Sequence, residues 1–232
     1  MIKGIIFDKD GTLFDFNATW GAWTRGMLED EAGGDPATLI RLADVLGYDL
    51  SQGRFRPGSV VIAEMGDRVA DAILTVIPGP RAALLGRMRV HAAEVAQIEA
   101  VPLASFMTGL KNSGLILGLA TNDNESSARQ HLMRASCLHV FDFVAGYDSG
   151  HGAKPGPGQL LAFCEAMELA PADCAMIGDS THDLDAGRAA GMTCIGVLTG
   201  PAPAEELSPV ADVVLASIGG VPDWLDAQRP TG

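Results

Sequence analysis

From Val101 onwards the sequence alternates short apolar runs with helix-like segments of about ten residues, and this alternation restricts the fold more than any other feature. Leu103 to Asn112 reads as a helix ended near Gly114, and Leu115-Ile116-Leu117-Gly118-Leu119-Ala120 reads as a buried strand. The same cycle predicts a helix from Ser126 to Ala135, a strand at Phe143-Val144-Ala145 and a helix from Pro157 to Glu168. It then predicts a strand at Cys174-Ala175-Met176-Ile177, a helix from Leu184 to Ala190, and strands at Thr193 to Leu198 and Ala211 to Leu215. Strands joined through helices form right-handed crossovers, which make the sheet parallel and cover both its faces. A further apolar run, Gly4 to Phe7, adds an N-terminal strand. The expected fold class is therefore α/β, with a Rossmann-like doubly wound parallel sheet. Ligands of such sheets sit beyond the carboxyl ends of the strands, near the point where strand order reverses.

Strand signals vanish for some eighty residues after Phe14. Thr19 to Glu31 carries Trp20, Trp23, Met27 and Leu28 at helical spacing, and the two tryptophans read as packing residues. Asp35-Pro36 looks like an N-cap followed by proline at the first helical position, opening a helix through Leu46. Val60 to Thr75 and Arg81 to Glu99 are further expected helices, parted by Pro78-Gly79-Pro80. The block reads as an inserted α-helical cap domain over residues 16–99, leaving 1–15 and 100–232 as the core domain.

The net charge of −13 argues against nucleic acid or a membrane surface as partner, because both would repel an acidic chain. No run approaches the roughly twenty apolar residues of a membrane span, and the apolar run before Asp8 is too short for a signal peptide. Cys137, Cys164, Cys174 and Cys194 are widely spaced, with no Cys-x-x-Cys pair. They read as core thiols of a cytoplasmic protein.

Four stretches at expected strand ends carry candidate chemistry. In Phe7-Asp8-Lys9-Asp10-Gly11-Thr12-Leu13, extended backbone would send Asp8 and Asp10 to one side and Lys9 to the other. Two adjacent carboxylates call for a cation or a shared proton, although an acidic Asp-Gly turn is the plainer reading. Thr121-Asn122-Asp123-Asn124 offers a hydroxyl and backbone N–H groups to phosphate oxygens, or else simply caps the following helix. Lys154, one of four lysines, lies in the turn-rich Gly152-Ala153-Lys154-Pro155-Gly156-Pro157, where a solvated surface lysine is the alternative. Met176-Ile177-Gly178-Asp179-Ser180-Thr181-His182-Asp183 ends a strand with two carboxylates four residues apart, which suits a hard ion such as Mg²⁺ or an Asp-rich helix cap. His182 is given no metal role.

Taken together and in this order, the four stretches resemble the motifs of the haloacid dehalogenase superfamily, most nearly its phosphoglycolate-phosphatase-like branch. The resemblance covers residues 1–15 and 100–218. It implies a Mg²⁺-dependent phosphatase acting on a small phosphate ester of the phosphoglycolate or sugar-phosphate type, as a monomer or homodimer. By the same resemblance Asp8 is the nucleophile that forms an aspartyl-phosphate, and Asp10 is the general acid and base. Thr121 and Asn122 hold the phosphoryl group, and Lys154 neutralises it. Asp8, Asp10 through its carbonyl, and Asp179 ligate the metal, with Asp183 supporting them. Most of that branch has an aliphatic residue where this chain has Lys9.

A sugar-phosphate mutase of phosphoglucomutase type uses the same two aspartates and is the alternative function, with a non-catalytic phospho-ligand binding module behind it. A dehalogenase would lack Asp10, and a phosphonatase would need a lysine in the cap, which has none. Arg54 and Arg56, flanking Phe55 in Gln52-Gly53-Arg54-Phe55-Arg56-Pro57-Gly58, are candidates for gripping an anionic leaving group. Solvated arginines are the alternative there.

Overall fold

The computed structural model describes residues 1–56, 58–63, 66–93 and 96–228. The chain divides into two compact units, Phe16–Ile98 and the remainder, Met1–Asp15 with Glu99–Gly232.

The second of these is built on six strands: β1 (Gly4–Phe7), β2 (Ile116–Ala120), β3 (Phe143–Ala145), β4 (Cys174–Gly178), β5 (Thr193–Val197) and β6 (Val213–Leu215). They lie in the order β3-β2-β1-β4-β5-β6, with every neighbouring pair parallel. The chain winds outward one way from β1 to β3 and the other way from β4 to β6. Strand order therefore reverses between β1 and β4, the usual ligand crevice of a doubly wound sheet.

Side-chain alternation divides the strands between two faces. Ile5, Phe7, Leu117, Leu119, Ala175 and Ile177 pack against helices Leu103–Asn112 and Glu125–Arg134. Ile6, Ala120 and Met176 pack on the other face with Leu160, Phe163 and Ala186, from helices Gly158–Ala166 and Thr181–Ala190. The central strands are buried on both sides, which is why they read as continuous apolar runs. A helix Val221–Ala227, not anticipated, is the last element among the described residues.

The helical unit contains Phe16–Ala32, Pro36–Leu46, Val60–Ala63, Asp67–Leu74 and Arg81–Ala93. Its core gathers Trp23, Met27, Leu28, Leu42, Leu46, Val69, Ile73, Leu84 and Met88, with Trp20 packed alongside, so both tryptophans are packing residues. Asp35 caps the second helix by accepting from Ala37 N and Thr38 N, at 3.2 and 3.1 Å. Three expectations need correction. The helix expected from Arg81 to Glu99 is described over Arg81–Ala93, with residues 94 and 95 outside the described residues and 96–98 not helical. The expected helix from Val60 to Thr75 is described as two shorter ones, with residues 64 and 65 outside the described residues and Gly66 at φ 116° before the second. The stretch without strand signals holds a small antiparallel hairpin, Tyr48–Asp49 with Arg54–Phe55. Asp49 builds its turn by accepting from Ser51 N and Gln52 N, and Tyr48 is buried and donates to Gly21 O at 2.9 Å. Two-residue strands are too short to leave a periodic signal.

The four cysteines are free and buried. Burial pushes the thiols of Cys137 and Cys194 up to about 11 and that of Cys174 to about 12, as expected of core thiols. No helix among the described residues is long and apolar enough to cross a membrane.

Candidate active site

The ends of β1, β2 and β4 bring Asp8, Thr121 and Asp179 to the carboxyl edge of the sheet, with Asp8 and Asp179 on the two sides of the switch point. Asp8, Asp179 and Asp183 each place a carboxylate oxygen within 4.8 Å of the other two. All three are buried, at 7, 4 and 2 % exposure. Lys154 Nζ donates to Asp8 Oδ1 at 2.5 Å and to Ala120 O at 2.8 Å, and pairs with Asp183 Oδ1 at 2.6 Å. Three acceptors satisfy the three donors of an ammonium, so Lys154 is a built part of the site and not a solvated lysine.

Asp183 owes its position to local sequence. The helix starts at Thr181, not at Leu184 as expected, because Ser180 takes the N-cap position. Asp183 then falls in the first turn and accepts from Ser180 N and Oγ, at 3.1 and 2.7 Å, leaving its other oxygen for Lys154. Asp179 receives a long contact, 3.4 Å from Thr12 Oγ1. Glycines make room for it. Gly11 has φ 83°, and a Cβ there would lie 2.3 Å from Asp179 Oδ2; a Cβ on Gly200 would lie 1.8 Å from the same atom. Thr199 Oγ1 donates to Gly11 O at 2.7 Å and so ties the two glycine loops together.

Burial dominates the electrostatics. It raises Asp8 to about 7 against the pull of Lys154, and it raises Asp179 well above the usual carboxylate range, helped by the charges of Asp183 and Asp8. Lys154 is held above its ordinary value because Asp183 and Asp8 outweigh its own burial. Three carboxylates against one ammonium leave two negative charges uncompensated when all are ionised. An all-oxygen, doubly negative, buried set of this kind fits a hard divalent cation such as Mg²⁺.

Thr121 is buried, its backbone N–H donates to Ala145 O at 3.0 Å, and its Oγ1 accepts from Asp123 N at 3.1 Å. Asn122 does something not foreseen. Its side chain accepts from Lys154 N at 2.9 Å and donates to Lys154 O at 3.0 Å, clamping the lysine loop. Gln159, buried on the next helix, holds that loop from below by donating to Thr121 O and Gly152 O. Asn124 takes the helix-capping role, accepting from Ser127 N at 2.7 Å.

Lys9 corrects another expectation. It does not point away from Asp10. The backbone leaves the extended state at Asp8 and turns, with Leu13 N and Phe14 N both donating to Lys9 O, so strand alternation no longer applies. Lys9 is 1 % exposed, and its Nζ lies 2.8 Å from Asp10 Oδ2, 3.0 Å from Asp123 Oδ2 and 3.0 Å from His131 Nδ1. Burial works against its charge, but Asp10 and Asp123 outweigh burial and hold it above the usual lysine value. Burial and Lys9 push His131 below its ordinary value, and because an ammonium can only donate, Nδ1 is the acceptor of this contact. Asp123 is held low by Lys9 in spite of its burial.

Arg54 and Arg56 belong to the helical unit's hairpin. Arg56 pairs with Asp44 at 2.8 Å and donates to Tyr48 O at 3.2 Å, so it has structural partners within its own unit. Arg54 is exposed on the second hairpin strand. Pro57, in the same stretch, is outside the described residues.

A doubly wound sheet with a buried aspartate–lysine cluster at its switch point is a site fit to hold a divalent cation beside an anionic ligand. The haloacid dehalogenase-like hydrolase model matches residues 2–191, and the chain belongs to that family. A phosphoglycolate phosphatase of Xylella fastidiosa is 32% identical over 199 residues, covering 85% of this chain and 81% of its own. This places the chain among the phosphatases of the phosphoglycolate-phosphatase-like branch. A haloacid dehalogenase family hydrolase from Deinococcus radiodurans, solved with bound phosphate and sodium, shares the fold with a TM-score of 0.75 at 21% identity, covering 97% of this chain and 96% of its own. A β-phosphoglucomutase from Clostridium difficile does so with a TM-score of 0.57 at 18% identity, covering 98% and 96%.

Proposed function

We propose that the protein is a Mg²⁺-dependent phosphatase that hydrolyses a small phosphorylated metabolite of the phosphoglycolate or sugar-phosphate type through a phosphorylated Asp8. The observation that carries this reading is the buried set of Asp8, Asp179, Asp183 and Lys154, because it joins a nucleophile, a cation-binding charge and a fixed ammonium at one strand edge. Asp8 attacks phosphorus from its second oxygen while Lys154 holds Oδ1. Asp10 protonates the departing alkoxide, then takes a proton from the water that hydrolyses the acyl phosphate. Thr121 Oγ1, which can still donate, and the backbone N–H of Asn122 steady the phosphoryl oxygens. Asp8, Asp179 and the Asp10 carbonyl would hold Mg²⁺, with Asp183 aligning Lys154 beside them. The ion would supply charge neutralisation to the phosphoryl group. Unit Phe16–Ile98 acts as a cap that selects the leaving group, with Arg54 as its candidate contact.

The test is a screen of phosphorylated metabolites with Mg²⁺, following free phosphate and sugar-phosphate isomers together. Release of free phosphate from an alkyl phosphate ester is expected. Isomerisation of a sugar phosphate without release would make the protein a mutase. Turnover of no ester, p-nitrophenyl phosphate included, would leave a phospho-ligand binding module.

A further inference from the structure

Lys9 is buried next to the reacting centre and is used by no step given above. Its three acceptors come from three places in the chain: Asp10 in its own loop, Asp123 after β2, and His131 on helix Glu125–Arg134, whose ring meets Phe14 edge-on at 6.2 Å. The ammonium is thus fully used and locked in direction. Its hold on Asp10 is one-sided. Oδ2 of Asp10 is taken at 2.8 Å, whereas Oδ1 is buried with no hydrogen-bond partner among the described residues. A buried carboxylate oxygen without a donor is costly, and a catalytic role is one of the explanations for such an atom. Asp10 follows Asp8 by two residues in the loop that leaves β1, beside the cluster of Asp8, Asp179 and Asp183.

We propose that Lys9 is a positioning residue for Asp10, pinning Oδ2 so that Oδ1 is the oxygen that exchanges protons with the leaving group and the attacking water. The inference rests on the reading of Asp10 as acid and base. In the first half-reaction an Asp8 oxygen forms a bond to phosphorus as the bond to the ester oxygen breaks. The proton on Asp10 Oδ1 passes to the electron pair left on that oxygen. In the second half, water oxygen attacks phosphorus, its proton goes to Oδ1, and the Asp8–phosphorus link breaks. Asp123 and His131 fix the lysine, and an aliphatic side chain at position 9 could not do the same.

The value of kcat/KM reports steps up to phosphoryl transfer, so it registers leaving-group protonation and not the later hydrolysis. An alkyl ester needs that proton, and p-nitrophenolate barely does. The experiment compares 2-phosphoglycolate and glycerol 2-phosphate with p-nitrophenyl phosphate in wild type, Lys9→Met, and Lys9→Leu/Asp123→Asn. The double variant removes one positive and one negative charge together, which protects folding, and circular dichroism verifies it. The expected result is a loss of kcat/KM on the alkyl esters that exceeds the loss on p-nitrophenyl phosphate by roughly tenfold or more. Equal losses on all three esters, or no loss, would overturn the positioning role. Asp10→Asn is the reference. If it too lacks leaving-group dependence, the acid–base reading of Asp10 fails; if it alone has it, only the role of Lys9 fails.

Discussion

Replacing Asp8 by asparagine probes the charge balance of the site independently of turnover. Burial raises the Asp8 carboxyl from its usual 3.8 to about 7 even with Lys154 at 2.5 Å. The folded state therefore binds the proton more tightly than the unfolded chain, and the sign follows. The group favours folding in full below its unfolded value, and that contribution is lost as pH rises through about 7. The loss amounts to about 4 kcal/mol above pH 7, and to about half of that near pH 5.5. Asparagine keeps the shape and an oxygen for Lys154 but never ionises. In the metal-free protein at pH 8, Asp8→Asn should thus be more stable than wild type by up to about 4 kcal/mol, a Tm difference on the order of 10 °C for a chain of this size. The gap should close towards pH 4. Thermal unfolding in EDTA across that pH range measures it. The same variant should be inactive, so the nucleophile is lost while stability is gained. A variant less stable than wild type at pH 8 without metal, or a gap that does not change with pH, would refute the assignment of Asp8 as a carboxylate strained by burial.

Three further outcomes follow from the same geometry. EDTA should abolish phosphatase activity and Mg²⁺ restore it, with Ca²⁺ a poor substitute; Asp179→Ala should raise the Mg²⁺ needed by tenfold or more, and an unchanged requirement would remove Asp179 from the site. Gly200→Ala should lower kcat/KM by roughly a hundredfold with little change in helix content, because the new methyl would stand 1.8 Å from Asp179 Oδ2; near-normal kinetics would show that the loop yields instead. Arg54→Ala should reduce kcat/KM for 2-phosphoglycolate by roughly tenfold and barely affect p-nitrophenyl phosphate, whereas Arg56→Ala, which frees Asp44, should lower the melting temperature; the reverse pattern would exchange their roles.

The amino-acid sequence alone determined the parallel sheet, the helices between its strands, the strand-end positions of Asp8, Thr121 and Asp179, and the loop position of Lys154. Those features are carried by local periodicity and by loops whose spacing a single segment contains. Asp183 was legible as a residue of interest, but its place inside the helix depended on Ser180 serving as cap. What only the tertiary structure decided are the pairings between distant loops. Lys9 reaches Asp123 and His131, and Asn122 clamps Lys154, over separations that no periodic signal spans. Gly200 is meaningful only because folding brings it against Asp179. Lys9 shows the physical reason most plainly. Alternation assigns a side for as long as the backbone stays extended, and once the chain turns at Asp8, the direction of the next side chain is set by which buried charges can satisfy it.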